Sequence, residues 1–367
     1  MWLLLACAFR EPAQTPPLAA AQAPVRLVEG PTRPGALEIV VRAGSAYDPP
    51  SREGLAWVAA HAAAPSAHVE VGPEIVRIEL DANAGLQGAL NLTPDAAAVA
   101  AARDAALSEL RGGECEAVAL RAWDRWALAG HPYGHAVEGR TSVLPTITPG
   151  EVHAFLRARY TRDAVRIAVS APMDTSGLNA LLPTLSRPVT PAVPPPPTNG
   201  ARLYVTALVG SSCVVIGRPD DRARNAGEVA VLSAFADAIG ADVDATVRVD
   251  PGVRWSLALG EGASASSVES VWNRVTSQRT VHRASTSAGL MRVSPTAARL
   301  AAESLLPALV PLSPVSLPDD TDVTSILSRV ADPSRLRMVV VSADVTPFRP
   351  VESQAPFVVQ PIEDLLR

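Results

Sequence analysis

The sequence predicts an α+β protein made of two duplicated units, each an antiparallel sheet with helices packed on one face. Strands and helices follow one another twice in the same order, a proline-rich segment separates the two copies, and the chain has neither a strict βαβ rhythm nor a glycine-rich phosphate loop. With 367 residues, the chain is long enough for two domains that each bury a core.

The duplication is indicated by two pairs of landmarks at nearly the same offset. In each half a strand and a polar loop lead to a glycine that opens an apolar helix, and these glycines are Gly54 and Gly227, with 227 − 54 = 173. Near the end of each half a buried-type strand ends in a Ser-Ala pair, and Ser170 and Ser342 give 342 − 170 = 172. Two unrelated domains would not share an offset in this way.

Hydrophobic periodicity and capping residues place the individual elements. Apolar or alternating runs predict strands over 37–42, 74–80, 166–171, 212–217 and 338–343. Helices are predicted from Gly54, and over 93–111, 151–160, 228–239, 294–305 and 323–330. Thr93 before Pro94 is the expected N-cap of the second helix, and Thr148 with Glu151 forms a capping box for the third.

Proline-rich segments set the predicted domain limits. We expect a leader over 1–24, a first α+β domain over 25–185, a linker over 186–200 and a second α+β domain over 201–367. The linker contains four consecutive prolines, whose missing N–H groups exclude both helix and central strand.

The first seven residues resemble the end of a bacterial lipoprotein signal, in which Cys7 would be lipidated. No Lys or Arg precedes this apolar run, so the start lies upstream or the run is a chance one. The first alternative implies a periplasmic or envelope protein anchored through Cys7, the second a cytoplasmic protein. Cys115 and Cys213 permit one disulfide, but we expect two separate buried cysteines.

Composition excludes some classes of function. Hydrophobic residues make up 48% of the chain, charged residues 19%, and the net charge is −5. This is a folded and mildly acidic protein, and neither a disordered chain nor a nucleic-acid-binding protein.

Several motifs carry a resemblance to a known family. The run from Val41 through Ser45 and Asp48 to Gly54 resembles the segment before the zinc helix of the inverzincin peptidases, the group of pitrilysin, insulin-degrading enzyme and the mitochondrial processing peptidase. The passage from His131-Pro-Tyr-Gly through Gly139 is also similar to that family. The resemblance covers nearly the whole chain after the leader, and it implies the duplicated α+β unit, with this chain as half of a clamshell.

The same resemblance implies a dismantled zinc site. The family requires His-x-x-Glu-His on one helix and a Glu from a later helix. Here Trp57 stands at the first His and Ala60 at the general base, so only His61 remains. Glu109 occupies the third-ligand position on the later helix, where Ala102 replaces another Glu. We therefore expect no catalytic residue and no cofactor.

His61 and Glu109 are then vestigial metal positions, and we expect them to form a buried hydrogen-bonded pair. The alternative is a diverged zinc metalloendopeptidase that uses His61, Glu109 and one improvised ligand, for which His68 is a candidate. His131 and His135 flank a turn and are expected to be structural or surface residues, and His153 is expected on a solvated helix face.

In the second half, Arg248 and Trp255 resemble the family's Arg and Tyr element, which holds the substrate's peptide carbonyl. The alternative assigns Arg248 to the surface and Trp255 to packing of the sheet. These residues lead to a non-catalytic subunit that pairs with a zinc-bearing homologous peptidase and binds extended peptides. A third alternative is an envelope scaffold or binding protein.

Overall fold

The computed structural model describes the chain in twelve stretches. They are residues 25–27, 36–81, 90–161, 164–169, 203–207, 212–221, 226–240, 245–248, 253–260, 265–281, 318–342 and 357–359. The predicted leader, the predicted linker, the predicted helix over 294–305 and Cys7 lie outside them.

The first sheet has five strands in the order β1-β5-β2-β4-β3. These strands are β1 (Val25–Leu27), β2 (Ala36–Val41), β3 (His68–Val71), β4 (Val76–Asp81) and β5 (Val165–Val169). The β1–β5 pair is parallel and the other pairs are antiparallel. Ile39, Val41, Val76 and Ile78 face the first hydrophobic core.

The second sheet has six strands in the order β11-β6-β10-β7-β9-β8. They are β6 (Leu203–Ala207), β7 (Ser212–Arg218), β8 (Ala245–Arg248), β9 (Val253–Gly260), β10 (Arg337–Ser342) and β11 (Phe357–Val359). The strand β6 runs parallel to both of its neighbours, and the remaining pairs are antiparallel. Both sheets are therefore antiparallel in their centres and gain parallel strands at one edge.

The strand order confirms the predicted duplication. The series β1-β5-β2-β4-β3 corresponds strand by strand to β6-β10-β7-β9-β8, with the same parallel and antiparallel pairs, and β11 is an addition at the edge of the second sheet. The two halves thus share one topology, as the matched glycines and Ser-Ala pairs predicted.

Seven α-helices accompany the strands of the described residues. They are α1 (Leu55–Ala63), α2 (Ala96–Arg111), α3 (Cys115–Ala127), α4 (Pro149–Arg159), α5 (Ala226–Ile239), α6 (Ala265–Ser277) and α7 (Asp320–Val330). The capping box of α4 is confirmed, with Thr148 and Glu151 bonded reciprocally. The predicted N-cap of α2 is wrong by two residues, because Asp95 rather than Thr93 accepts a hydrogen bond from the N–H of Ala98.

Helix α3, which the sequence analysis did not predict, crosses from the first half to the second sheet. It packs on β7, β9 and β10. Its apolar side chains Ala119 and Trp123 share a core with Val215 and Val339 of that sheet. The opposite face of the second sheet packs on α5, α6 and α7. Both faces of β7 and β10 are therefore buried, and helices cover two faces of this sheet where one was predicted.

A disulfide joins Cys115, the first residue of α3, to Cys213 of β7. The prediction of two separate buried cysteines is therefore wrong, although both cysteines are buried. The prediction failed because the residues are 98 positions apart, and only the docking of α3 on the second sheet brings them together. Within the described residues, no helix is long and apolar enough to cross a membrane.

Candidate functional site

Helix α1 corresponds to the predicted zinc helix and begins in a tightly fixed corner. Gly54 precedes it with φ +96°, a left-handed conformation that favours glycine. The Asp48 carboxylate accepts hydrogen bonds from the N–H groups of Gly54 and Ala56, both at 2.7 Å. These bonds satisfy two of the N–H groups that a helix start leaves open. Asp48 thus fixes the start of α1, the helix that carries the candidate site residues Trp57, Ala60 and His61.

Trp57 and His61 are stacked on α1, one helical turn apart. Their ring centroids are 3.5 Å apart and the ring planes differ by 18°. The Nδ1–H of His61 donates to the carbonyl oxygen of Trp57 at 2.9 Å. Burial lowers the pKa of His61, and the hydrogen bond to Trp57 and the charge of Glu109 only partly offset this. The ring that the resemblance predicted as a vestigial metal ligand is thus stacked on Trp57 and hydrogen-bonded within its own turn.

Ala60 lies in the core rather than in an open site. It is fully buried, and it belongs to the same apolar cluster as Trp57 and Ala102 of α2, against which α1 packs. A methyl group can neither take a proton from water nor bind a metal. The position at which the resemblance predicts a general base is therefore part of the hydrophobic core.

Glu109 and His61 do not form the buried pair that we expected. Glu109 is exposed on α2, and the hydrogen bond of His61 goes to Trp57 instead. The i to i+4 spacing gives His61 an acceptor on its own helix, whereas Glu109 lies exposed on the surface of α2. A cavity of about 440 Å³ lies beside α2, but neither His61 nor Glu109 lines it. Its described lining residues are Asp104, Leu107, Ser108, Arg111 and Gly112.

His68 does not complete a metal site with these residues. It lies exposed on β3, and its charge contributes only a small lowering of the pKa of His61. Among the described residues, no group of three His, Cys, Asp or Glu side chains is arranged to hold a metal ion. A catalytic zinc needs three protein ligands, so the donor set around His61 does not fit zinc.

The other histidines have structural surroundings. His131 is buried, and its ring meets that of Tyr133 edge to face at 4.6 Å between centroids. The Tyr133 hydroxyl donates to the buried carboxylate of Glu74, a contact that sequence analysis missed because 59 residues separate the two. Burial lowers the pKa of His135, whose Nδ1–H donates to the Ala136 carbonyl.

His153 is half-buried on α4 and its Nε2 lies 2.7 Å from the Pro94 carbonyl oxygen. It was expected on a solvated face. The difference arises because the loop before α2 crosses that side of α4.

Trp255 is a core residue, and its predicted role in substrate binding is wrong. It is fully buried on β9, its ring centroid lies 5.0 Å from that of Phe235, and its Nε1–H donates to the Leu232 carbonyl. The alternation of β9 directs this side chain toward the helices that cover the sheet. Arg248 ends β8 and pairs in register with Arg254 of β9.

Comparisons with known proteins give structural matches only. No protein-family model and no curated protein matches the chain. The M16 peptidase inactive domain from Pseudomonas fluorescens matches with a TM-score of 0.65 and 14% identity, over 88% of this chain and 95% of that one. A protease from Helicobacter pylori matches with a TM-score of 0.67 and 14% identity, over 87% of this chain and 96% of that one.

Pitrilysin matches with a TM-score of 0.58 and 14% identity, over 87% of this chain but only 44% of its own length. At such identities the matches establish the fold and not the activity. They agree with the strand order of the two sheets and with the duplicated unit. The chain therefore has the fold of an M16-type peptidase, at a length that corresponds to about half of pitrilysin.

Proposed function

We propose that this chain is a non-catalytic subunit of an M16-type peptidase, which pairs with a zinc-bearing homologous chain and helps to hold extended peptides in the shared chamber. The observation that supports the proposal most is the packing of α1, where Trp57 and Ala60 are buried core residues and His61 stacks on Trp57, at the positions that the resemblance assigns to the zinc motif. The two sheets and their helices retain the fold of the M16-type structures that match this chain. A chain that retains the scaffold without the metal fits the role of a companion subunit.

Two further points support this role. The chain has about the length of the M16 peptidase inactive domain, a protein of the same fold whose description states that it is inactive. Pitrilysin is about twice as long, so a chamber of that size would need a second chain of the present length. The second chain would supply the zinc, the His-x-x-Glu-His helix and the general base.

Metal content tests the non-catalytic part of the proposal. We expect the purified chain, dialysed against micromolar zinc, to retain less than about 0.1 zinc per chain, because one exposed carboxylate and one hydrogen-bonded imidazole form a weak site. The control is His61→Ala, which should change nothing. Stoichiometric zinc that is lost in His61→Ala would favour the diverged metalloendopeptidase instead.

Pairing is tested by co-expression with a homologous chain that carries an intact His-x-x-Glu-His helix. We expect the two chains to purify as a 1:1 complex that cleaves unfolded peptides, whereas each chain alone is at least 100-fold less active. Activity of the complex should vanish when the Glu of the partner's motif is replaced by Gln. A zinc-bearing chain that is fully active without this one would contradict the proposal.

Peptide binding is assigned to Arg248, at the end of the edge strand β8. Arg248→Ala should weaken binding of a peptide by the complex about tenfold, through loss of one charged hydrogen bond. Arg279→Ala, on the segment after α6, is a control for the loss of a positive charge. Unchanged affinity in Arg248→Ala would favour an envelope scaffold that does not handle peptides.

A further inference from the structure

The Cys115–Cys213 disulfide connects parts of the chain that belong to different halves. Cys115 begins α3, Cys213 lies on β7, and their Cα atoms are 6.0 Å apart. The cysteine residues are 7% and 1% exposed. The bond thus ties a helix from the first half to the sheet of the second half, in a place that solvent barely reaches.

The interface that this disulfide holds is mixed in character. Its apolar part places α3 against Val339 and Val341 of the central strand β10. Its polar part contains the ion pair of Asp124 with Arg254, at 2.8 Å, and a hydrogen bond from the Ser256 hydroxyl to Glu116, at 2.6 Å. If α3 separated from the sheet, the valine face would meet water and the buried polar groups would need new partners.

A covalent bond between residues 98 positions apart acts mainly on the free energy of the state in which α3 has left the second sheet, which we call the separated state. Closing a loop of this length removes conformational entropy from the ensemble in which α3 has left the sheet, and so it raises the free energy of that ensemble. Without the bond, the docked state is held by noncovalent contacts, which among the described residues come mainly from the thirteen residues of α3. The redox state of the two cysteines therefore changes the population of the separated state.

We propose that the Cys115–Cys213 disulfide is a redox-dependent lock on the docking of α3 against the second sheet, formed by oxidation after synthesis. The thiolate of one cysteine attacks a sulfur of a disulfide-carrying oxidant, and a mixed disulfide forms. The second thiolate then displaces the oxidant, which leaves as a dithiol that carries both electrons and takes up, through the solvent, the two protons that the cysteine thiols release. Such oxidants act in oxidising compartments, so the lock belongs to an exported protein.

The first experiment establishes the bond in the full chain. The protein is produced with export to an oxidising compartment, unfolded without reductant, and alkylated for mass spectrometry. Of its three cysteines, we expect Cys115 and Cys213 to be labelled only after reduction, whatever the state of Cys7. Labelling of Cys115 and Cys213 without reductant would overturn the proposal.

The second experiment measures the lock by hydrogen exchange. We expect the amides of α3 to exchange at least tenfold faster in protein that was reduced during refolding than in oxidised protein, while those of α1 and α4 keep their rates. The reduced protein should also melt about 5 to 10 °C lower. Equal protection of α3 in both states would overturn the proposal.

Two variants make the comparison independent of the reductant. Cys115→Ala/Cys213→Ala should behave like the reduced protein in both conditions, and Cys7→Ala should behave like the unmodified chain. If the double variant does not fold, the reduced and oxidised forms of the unmodified chain still decide the outcome. None of these measurements involves a peptidase partner or zinc, so failure of the lock and failure of the proposed subunit role are distinguishable.

Discussion

At the residue scale, the stacked pair of Trp57 and His61 shows how α1 packs at the positions where the resemblance predicts a zinc motif. The spacing that places two zinc ligands one turn apart also places two aromatic rings one turn apart. Trp57 is 7% exposed and packs in the core, while His61 donates its Nδ1–H to the Trp57 carbonyl in the same turn. Both rings are thus held in place on a helix that packs against α2.

The lowered pKa of His61 makes stability depend on pH. Because burial favours the neutral ring, the folded pKa lies below the ordinary value of 6.5, and the stability that this group contributes is present above pH 6.5 and lost as the pH falls from there through the folded pKa. His61→Phe keeps the stacked ring and removes the titration. The loss of unfolding free energy between pH 7.5 and pH 5.5, measured by urea denaturation, should therefore be smaller in the variant.

The lowered pKa of the half-buried His135 acts in the same direction, so His61→Phe should retain part of the pH dependence. At pH 7.5 the variant should lie within about 1.5 kcal/mol of the unmodified chain, as expected for a swap of similar volume. A pH dependence equal to that of the unmodified chain would show that His61 does not titrate between the folded and unfolded states.

At the element scale, local signals predicted local structure well. Thr148 and Glu151 marked the start of α4, and apolar runs marked β7 and β10 to within two residues. Where the prediction failed, the deciding contact was distant in sequence. Helix α3 has an amphipathic pattern, but its apolar face packs on strands that begin more than 80 residues later. Elements close to it in sequence therefore gave no indication of where α3 would pack.

The candidate site shows the same difference between what local sequence predicts and what distant contacts decide. The sequence correctly predicted a helix that begins after Gly54, whereas the assignment of Trp57 and Ala60 to positions of a zinc motif stays a prediction from the resemblance. The burial of Trp255 and the exposure of Glu109 depend on which face of an element meets its neighbour. That information is set by packing across the whole sheet, and one strand or helix does not contain it.

The start of α1 offers a test of a close approach between two elements. Gly54 and Gly139 both have positive φ, and a Cβ on Gly139 would lie 2.3 Å from the Glu53 carbonyl oxygen. Gly139→Ala should reduce the free energy of unfolding by about 2 to 5 kcal/mol, through backbone strain and overlap. Urea denaturation measures this.

Gly150→Ala is the matched control for Gly139→Ala. It lies in the first turn of α4, and the atom nearest to its added Cβ is 3.9 Å away. It should be neutral or stabilise the protein by up to about 1 kcal/mol, because alanine favours the helix. Equal effects of the two substitutions would contradict the role of the Gly54–Gly139 contact.

At the scale of the whole molecule, the two halves share a topology and are in contact through α3. The second sheet has helices of its own half on one face and α3 of the first half on the other. Helices α1 and α3 belong to different cores, so the docking of α3 does not depend on the side chains at positions 57, 60 and 61 of α1. The proposed role as a companion subunit needs this scaffold and no metal.

The ion pair between Asp124 of α3 and Arg254 of β9 tests the importance of this docking. Arg254 is 4% exposed, its guanidinium donates to the Asp124 carboxylate at 2.8 Å, and it lies over the Trp123 ring. Asp124→Ala leaves the buried guanidinium without this carboxylate, which should cost about 3 to 5 kcal/mol of unfolding free energy. Thermal or urea unfolding of the oxidised chain measures the cost.

Two further variants distinguish the cost of leaving the Arg254 charge buried and unpaired from the cost of losing an ion pair. Asp124→Ala/Arg254→Met removes both charges and should be more stable than Asp124→Ala alone, because no charge is left buried. Glu70→Ala breaks the exposed pair of Glu70 with Arg77 on the first sheet and should cost no more than about 1 kcal/mol. If Asp124→Ala costs as little as Glu70→Ala, the docked α3 does not depend on this pair, and the apolar contacts with the disulfide are sufficient to hold it.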